Sequence, residues 1–325
     1  MKIIGYHNTE SDNVEDIINN EFKYRKNEKH WLGQGIYFFD NLDIFKEHRG
    51  NYIITDPEGL PGRYLAGVLS KEAPLPELTL FHCAGTEEDR DAEALNLEAT
   101  RQLFGSFGAD VPSRVVYVSS SQVYSPDAGT GVDETRPAFA WSEAGRSKAR
   151  TEVFLEKWCA AHDAVLTIVR PAPMFGKGVD GAMLRLFNRV ARGRYVHIRG
   201  NDARLSVVTA LDVARAMVRL AGHPGIYNVS DGRERTWLQL AEAMSANAGA
   251  EKRMTHLPAR WADVIYRFFR WIPMVEETLS PAVLEPFTRT LVLDNSRVRR
   301  ETGIEFYDTL EVMARRAKDY PYEDS

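Results

Sequence analysis

In the segment NVEDIINNEF, Val14, Ile17, Ile18 and Phe22 recur at intervals of three and four, which puts them on one helical face. The flanking apolar runs are shorter and lack that period: KIIGYH, GIYFFD and NYIITD read as strands, with NLDIFKEH as a second helix between the last two. Further on, LTLFHCAG is a compact apolar run ending in small residues and reads as a buried strand. NLEATRQLFGSF returns to the helical period and turns Leu97, Thr100, Leu103 and Phe104 inward. RVVYVSSSQVY is a strand that becomes polar at its carboxyl end, AVLTIVRPAPMFGKG supplies another strand and a loop, and Thr236 with Gln239 forms a capping-box signature. WADVIYRFFRWIPMV is apolar but broken by Asp263, Arg267 and Arg270, which suits a packing or lid helix better than a helix lying on a membrane surface.

Composition narrows the function classes. The net charge is −5 with acids and bases interspersed, so the chain has no basic stripe of the kind that nucleic-acid binding requires. Cys83 and Cys159 lie in apolar segments without metal-ligand spacing, which predicts buried thiols in a reducing, cytoplasmic setting. The start of the chain carries no signal pattern, and no apolar run reaches the length of a membrane span. Composition also changes abruptly between residues 50 and 66. The first stretch is rich in Asn, Ile and Lys and contains no alanine before Ala66, whereas alanine and arginine abound beyond it. That change reads as a join between sequences of different origin, a fusion, natural or artificial.

The first fifty residues resemble the start of an ADP-ribosyltransferase fold, through GYHNTES, NEF and HWLGQGIYFFDN. The resemblance implies NAD-embracing roles for His7, Thr9 and Tyr37, although Asn8 departs from the usual glycine and no strand bringing a catalytic glutamate can be located. His7 and Tyr37 are therefore expected to pack or face solvent, and no ADP-ribosyl transfer is expected.

From about residue 60 onward, the ordered series LTLFHCAG, RVVYVSSSQVY, AWSEAGRSKARTE and AVLTIVRPAPMFGKG resembles the extended short-chain dehydrogenases/reductases, the NAD-dependent epimerase and dehydratase family. The resemblance implies an α/β fold: a Rossmann-like doubly wound parallel sheet, its first half incomplete or substituted, with a smaller α/β C-terminal region. It suggests divisions at 1–50, 51–175 and 176–325, with MKIIGY and the helix after it filling the first strand and crossover of the sheet. It places Ser120 and Lys148 in catalytic roles and Ala84, Gly85, Pro171 and Met174 beside an NAD or NADP cofactor.

Two departures set the functional expectation. Four residues before Lys148, where the family carries a tyrosine, this chain has Ala144. A phenol paired with a lysine at i and i+4 is the proton donor and acceptor of that chemistry, and losing a positioned acid/base costs about 10²- to 10⁴-fold in rate. Tyr117 and Tyr124 occupy strand positions that do not reproduce the geometry. The second departure is at the start, where IIGYHNTESDN stands in place of a glycine-rich turn, and YLAGVLS, similar to the third strand, has Val68 where an aspartate is usual. The expected protein is an impaired or inactive relative of NAD(P)-dependent epimerases and dehydratases, with a nucleotide-sugar or other hydroxylated small molecule as ligand and a homodimer as its assembly. The alternative is a non-enzymatic binder of a protein partner, such as a toxin-neutralising factor. No metal site is expected.

Overall fold

The computed structural model describes residues 3–6, 36–39, 51–108, 111–179, 181–248, 254–269, 271 and 285–315. In chain order the elements begin β1 (Ile3–Tyr6), β2 (Ile36–Phe39), β3 (Tyr52–Thr55), α1 (Gly62–Leu69), β4 (Thr79–His82), α2 (Ala99–Gly105) and β5 (Arg114–Val118). They continue with β6 (Gly129–Val132), α3 (Glu143–Ala161), β7 (Val165–Pro171), β8 (Met174–Phe175), α4 (Gly181–Ala191), β9 (Val196–Arg199), β10 (Arg204–Leu205), β11 (Val208–Thr209), α5 (Ala210–Leu220) and β12 (Gly225–Val229). The last are β13 (Arg235–Thr236), α6 (Trp237–Asn247), β14 (Thr255–Pro258), α7 (Ala259–Phe269), β15 (Leu291–Leu293), α8 (Ser296–Thr302) and α9 (Thr309–Ala314).

The chain divides into two compact units. The first comprises residues 1–119, 142–169 and 217–226, and the second comprises 120–141, 170–216 and 227–325. Each unit is therefore drawn from several stretches, unlike the consecutive division into 1–50, 51–175 and 176–325. The main sheet has the order β12-β7-β5-β4-β3, with β3, β4, β5 and β7 parallel in register. Strands buried on both faces read as unbroken apolar runs, and β4 is buried at all four positions. Ile53, Leu80, Val115 and Ile168 from these strands pack with Leu103, Phe104 and Leu155 from α2 and α3 in one core. Leu97, Thr100, Leu103 and Phe104 are all buried, as their spacing predicts, although the backbone makes a wider π-type turn over Glu93–Glu98 before α2 begins. Both cysteines are free and buried, and burial pushes the Cys159 thiol up to about 12.

Two sequence expectations change here. YLAGVLS is not a strand: residues 62–69 form α1, with Leu65 and Leu69 buried four apart on one face. The strand beside β4 is β3, from NYIITD, and β1 pairs antiparallel with β2 in a separate two-stranded sheet. Residues 52–55, rather than 1–6, thus fill the place next to β4. NVEDIINNEF and NLDIFKEH lie outside the described residues.

In the second unit, Phe175, Leu186, Val207, Leu240, Met244 and Met313 form a second core. The capping box at Thr236 and Gln239 is complete, each side chain accepting the other residue's backbone N–H. Helix α7 packs Ile265 and Tyr266 near Val196, Ile198 and Leu257, and exposes Trp261 and Phe268. Among the described residues, no helix is long and apolar enough to cross a membrane, and no group of three or more His, Cys, Asp or Glu side chains is placed to hold a metal ion.

Candidate functional site

At the carboxyl end of β4, the chain is fixed by a hydrogen-bond chain whose direction follows from donor counts. Thr100 Oγ1 donates to the Asn96 carbonyl at 2.6 Å, so it accepts from His82 Nε2 at 2.8 Å. His82 Nδ1 is then the acceptor for Thr55 Oγ1 at 3.0 Å, and that oxygen in turn accepts the backbone N–H groups of Cys83 and Ala84 at 2.9 and 3.0 Å. Burial, and secondarily the Lys148 charge, lowers the His82 pKa to about 3. His82 is thus a neutral link between β3, β4 and α2.

The small residues that follow allow close approach. Gly85 has φ of 138°, and a Cβ there would lie 2.5 Å from Asn96 Oδ1 and 3.6 Å from Lys148 Nζ. Asn96 clamps the loop by accepting the Thr86 N–H at 2.7 Å and donating to the Thr86 carbonyl at 3.1 Å and to Ser147 Oγ at 2.8 Å. Lys148 is buried, 4% exposed, and donates to the Val118 carbonyl at 3.4 Å. The structure therefore brings Gly85 and Lys148 together in one unit, at the carboxyl edge of the parallel sheet where open α/β folds place their chemistry.

The helix that presents Lys148 starts cleanly. Ser142 caps α3 by accepting the Gly145 N–H at 3.0 Å, and Asp89 Oδ1 accepts the Ala144 N–H at 3.0 Å. Ala144 itself is completely buried. The i and i+4 relation to Lys148 is intact, but the position that would carry a phenol holds a methyl group within the fold. Of the two tyrosines nearby in sequence, Tyr117 has its ring 6.0 Å from Lys148 Nζ. Tyr117 is buried in the core, where desolvation foremost raises its pKa well above the usual phenol range. Tyr124, in the second unit, donates to Asn228 Oδ1 at 2.8 Å and accepts from Arg170 Nη1 at 2.9 Å, and burial raises its pKa despite the Arg170 charge.

The remaining predicted residues are placed as follows. Ser120 belongs to the second unit, is buried, and caps a short 3-10 turn by accepting the Gln122 N–H at 3.1 Å. Its neighbour Ser119, in the first unit, has a buried Oγ with no hydrogen-bond partner among the described residues. Pro171 ends β7 and Met174 opens β8, where it pairs with Val208; both belong to the second unit. His7 and Thr9 lie outside the described residues, and Tyr37 is described only as a position in β2.

One feature was missed in the sequence. Between β3 and α1 runs Asp56-Pro57-Glu58-Gly59-Leu60-Pro61-Gly62, with glycines three residues apart and a helix starting at the second. This strand, turn and helix occupies the place of the glycine-rich unit expected near residue 1, and Asp56 stands where the first glycine of a GxxGxxG spacing would be. Asp56 has φ of 54°, the left-handed conformation that glycine adopts freely. The available signal was the spacing itself, Asp56 to Gly59 to Gly62 directly after a strand.

Residues 79–230 match the model of the NAD dependent epimerase/dehydratase family. The matched stretch runs from β4 to the loop after β12 and contains Gly85, Ser120, Ala144 and Lys148. A curated relative, the N-acetyl-α-D-glucosaminyl-diphospho-ditrans,octacis-undecaprenol 4-epimerase of Escherichia coli O157:H7, is 22% identical over 170 residues, which are 50% of this chain and 51% of that protein. The chain spans about half the length of the curated relatives it matches. Among solved structures, the UDP-N-acetylglucosamine 4-epimerase of Methanobrevibacter ruminantium M1, in complex with UDP-N-acetylmuramic acid, superposes with a TM-score of 0.63 at 14% identity, covering 83% of this chain and 97% of that one. The Bordetella bronchiseptica enzyme WbmH, in complex with NAD+, gives a TM-score of 0.62 at 19% identity, covering 83% and 98%. These likenesses establish the Rossmann-like fold.

Proposed function

We propose that this protein is a member of the nucleotide-sugar epimerase and dehydratase lineage that has lost efficient proton transfer and hydride exchange. The observation that carries the reading is Ala144: buried, held through its amide by Asp89, and four residues before a Lys148 that has kept its inward position. With alanine at that position, the helix carries no phenol four residues before Lys148 for the lysine to poise, and Ser120 has a hydroxyl too weakly acidic to replace one. The ligand class, a nucleotide sugar, is supported by similar solved structures in complex with UDP-N-acetylmuramic acid and with UDP-glucose.

The test is a coupled measurement on the purified chain. UDP-glucose and UDP-N-acetylglucosamine are supplied with NAD+ or NADP+, C4 epimerisation is followed by proton NMR, and binding is followed by calorimetry. Nucleotide-sugar binding with turnover absent, or about 10²- to 10⁴-fold below that of a phenol-bearing relative, is the expected result. Turnover comparable to such a relative would overturn the reading.

A further inference from the structure

We infer that Asp56 is a resident anion that closes the turn between β3 and α1 to the pyrophosphate of a dinucleotide. A turn of this kind binds pyrophosphate because backbone N–H groups at the helix start point at the ligand and glycines let its oxygens approach the main chain. Here the approach is already taken. The Gly59 N–H donates to Asp56 Oδ1 at 3.1 Å and to the Asp56 carbonyl at 3.3 Å. A Cβ built on Gly59 would lie 2.0 Å from Asp56 Oδ2, so the carboxylate covers the glycine surface on which a phosphate oxygen would rest. Gly62 is covered in the same way, its would-be Cβ 2.0 Å from the Asp56 carbonyl oxygen.

Charge and donor supply act in the same direction. Pro57 and Pro61 have no N–H, which removes two donors from a seven-residue turn. Asp56 and Glu58 add two negative charges, and the only nearby cation in the turn sequence, Arg63, donates from Nε and Nη2 to the Glu58 carbonyl. The residues present therefore do not fit NAD or NADP in the way the family resemblance implies. This inference is independent of Ala144, because it concerns binding rather than proton transfer.

Calorimetric titration with NAD+, NADH, NADP+, NADPH and ADP-ribose, applied to the wild-type chain, Asp56→Gly and Asp56→Asn, tests it. The wild type is expected to show no saturable binding up to about 1 mM, and Asp56→Gly to gain at least about tenfold in affinity for ADP-ribose, with Asp56→Asn intermediate. Micromolar binding by the wild type would overturn the inference, as would folded Asp56→Gly and Asp56→Asn proteins with no gain. If Asp56→Gly fails to fold, Asp56→Asn carries the test, because asparagine tolerates the left-handed backbone and keeps an acceptor for Gly59. In the wild type, the Gly59 amide resonance should also move as acid protonates the Asp56 carboxylate; an unmoved resonance would break the proposed contact. A variant that binds dinucleotide without turning over a UDP-sugar leaves the Ala144 reading standing, whereas one that turns over supports the Asp56 inference and sinks the loss-of-proton-transfer reading.

Discussion

Asp89 Oδ1 accepts the backbone N–H of Ala144 at 3.0 Å, tying the segment after β4 to the first turn of α3. The contact satisfies a helix N-terminal amide with a charged acceptor, a favourable arrangement at the positive end of the helix. It also helps fix Ala144, whose side chain is fully buried.

Restoring the family's tyrosine at this position therefore costs stability before it can restore chemistry. Ala144→Tyr is expected to lower the unfolding free energy by about 1–3 kcal/mol, the usual effect of overfilling a closed site, with no gain in UDP-sugar turnover. Urea denaturation together with the NMR turnover assay would show this; a fully stable, active variant would mean that the Asp89 segment opens readily.

The Thr100, His82 and Thr55 chain predicts a pH dependence. His82 has its folded pKa lowered to about 3 from 6.5, so as pH falls below 6.5 the unfolded chain takes up a proton that the folded one refuses. The His82 contribution is intact above pH 6.5 and is lost as pH falls toward 3, at about 1.4 kcal/mol per pH unit. His82→Asn should be less stable near neutral pH by about 1–3 kcal/mol, since buried hydroxyl and amide partners lose their bonds. The wild-type advantage over it should shrink on acidification, read from paired denaturation curves at several pH values; a constant gap would refute the linkage.

Gly62 is predicted to be intolerant of even one added carbon. Gly62→Ala sets a Cβ 2.0 Å from a backbone carbonyl oxygen that cannot rotate away, and about 1–3 kcal/mol of destabilisation is expected. A thermal melt suffices. An unchanged midpoint would show that the turn relaxes, and would weaken the geometry on which the Asp56 inference stands.

In the second unit, Tyr124→Phe removes the hydroxyl that joins buried Arg170 to Asn228. The expected cost is about 1–3 kcal/mol from polar groups left unmatched. Asn228 should retain its other bonds, from its backbone N–H to Glu134 and from Nδ2 to the Val132 carbonyl, so the effect should appear as lost stability with the fold preserved by circular dichroism.

Local chemistry made part of the protein readable from its sequence. The run LTLFHCAG ends in residues small enough for close approach, Leu97, Thr100, Leu103 and Phe104 recur at helical spacing, Thr236 and Gln239 carry a capping box, and Lys148 follows the capped start of its helix; each lies where that pattern indicates. The decisive features were set by contacts between segments. YLAGVLS is a short apolar run whose period does not separate strand from helix, and it becomes α1 where Gly62 lets the helix start close against the Asp56 carbonyl. The turn that precedes it is hidden in the sequence because its first position is an aspartate. Only the backbone, at a φ of 54°, with the carboxylate folded onto the Gly59 amide, gives that residue the conformation of a glycine and places its charge on the ground of a phosphate.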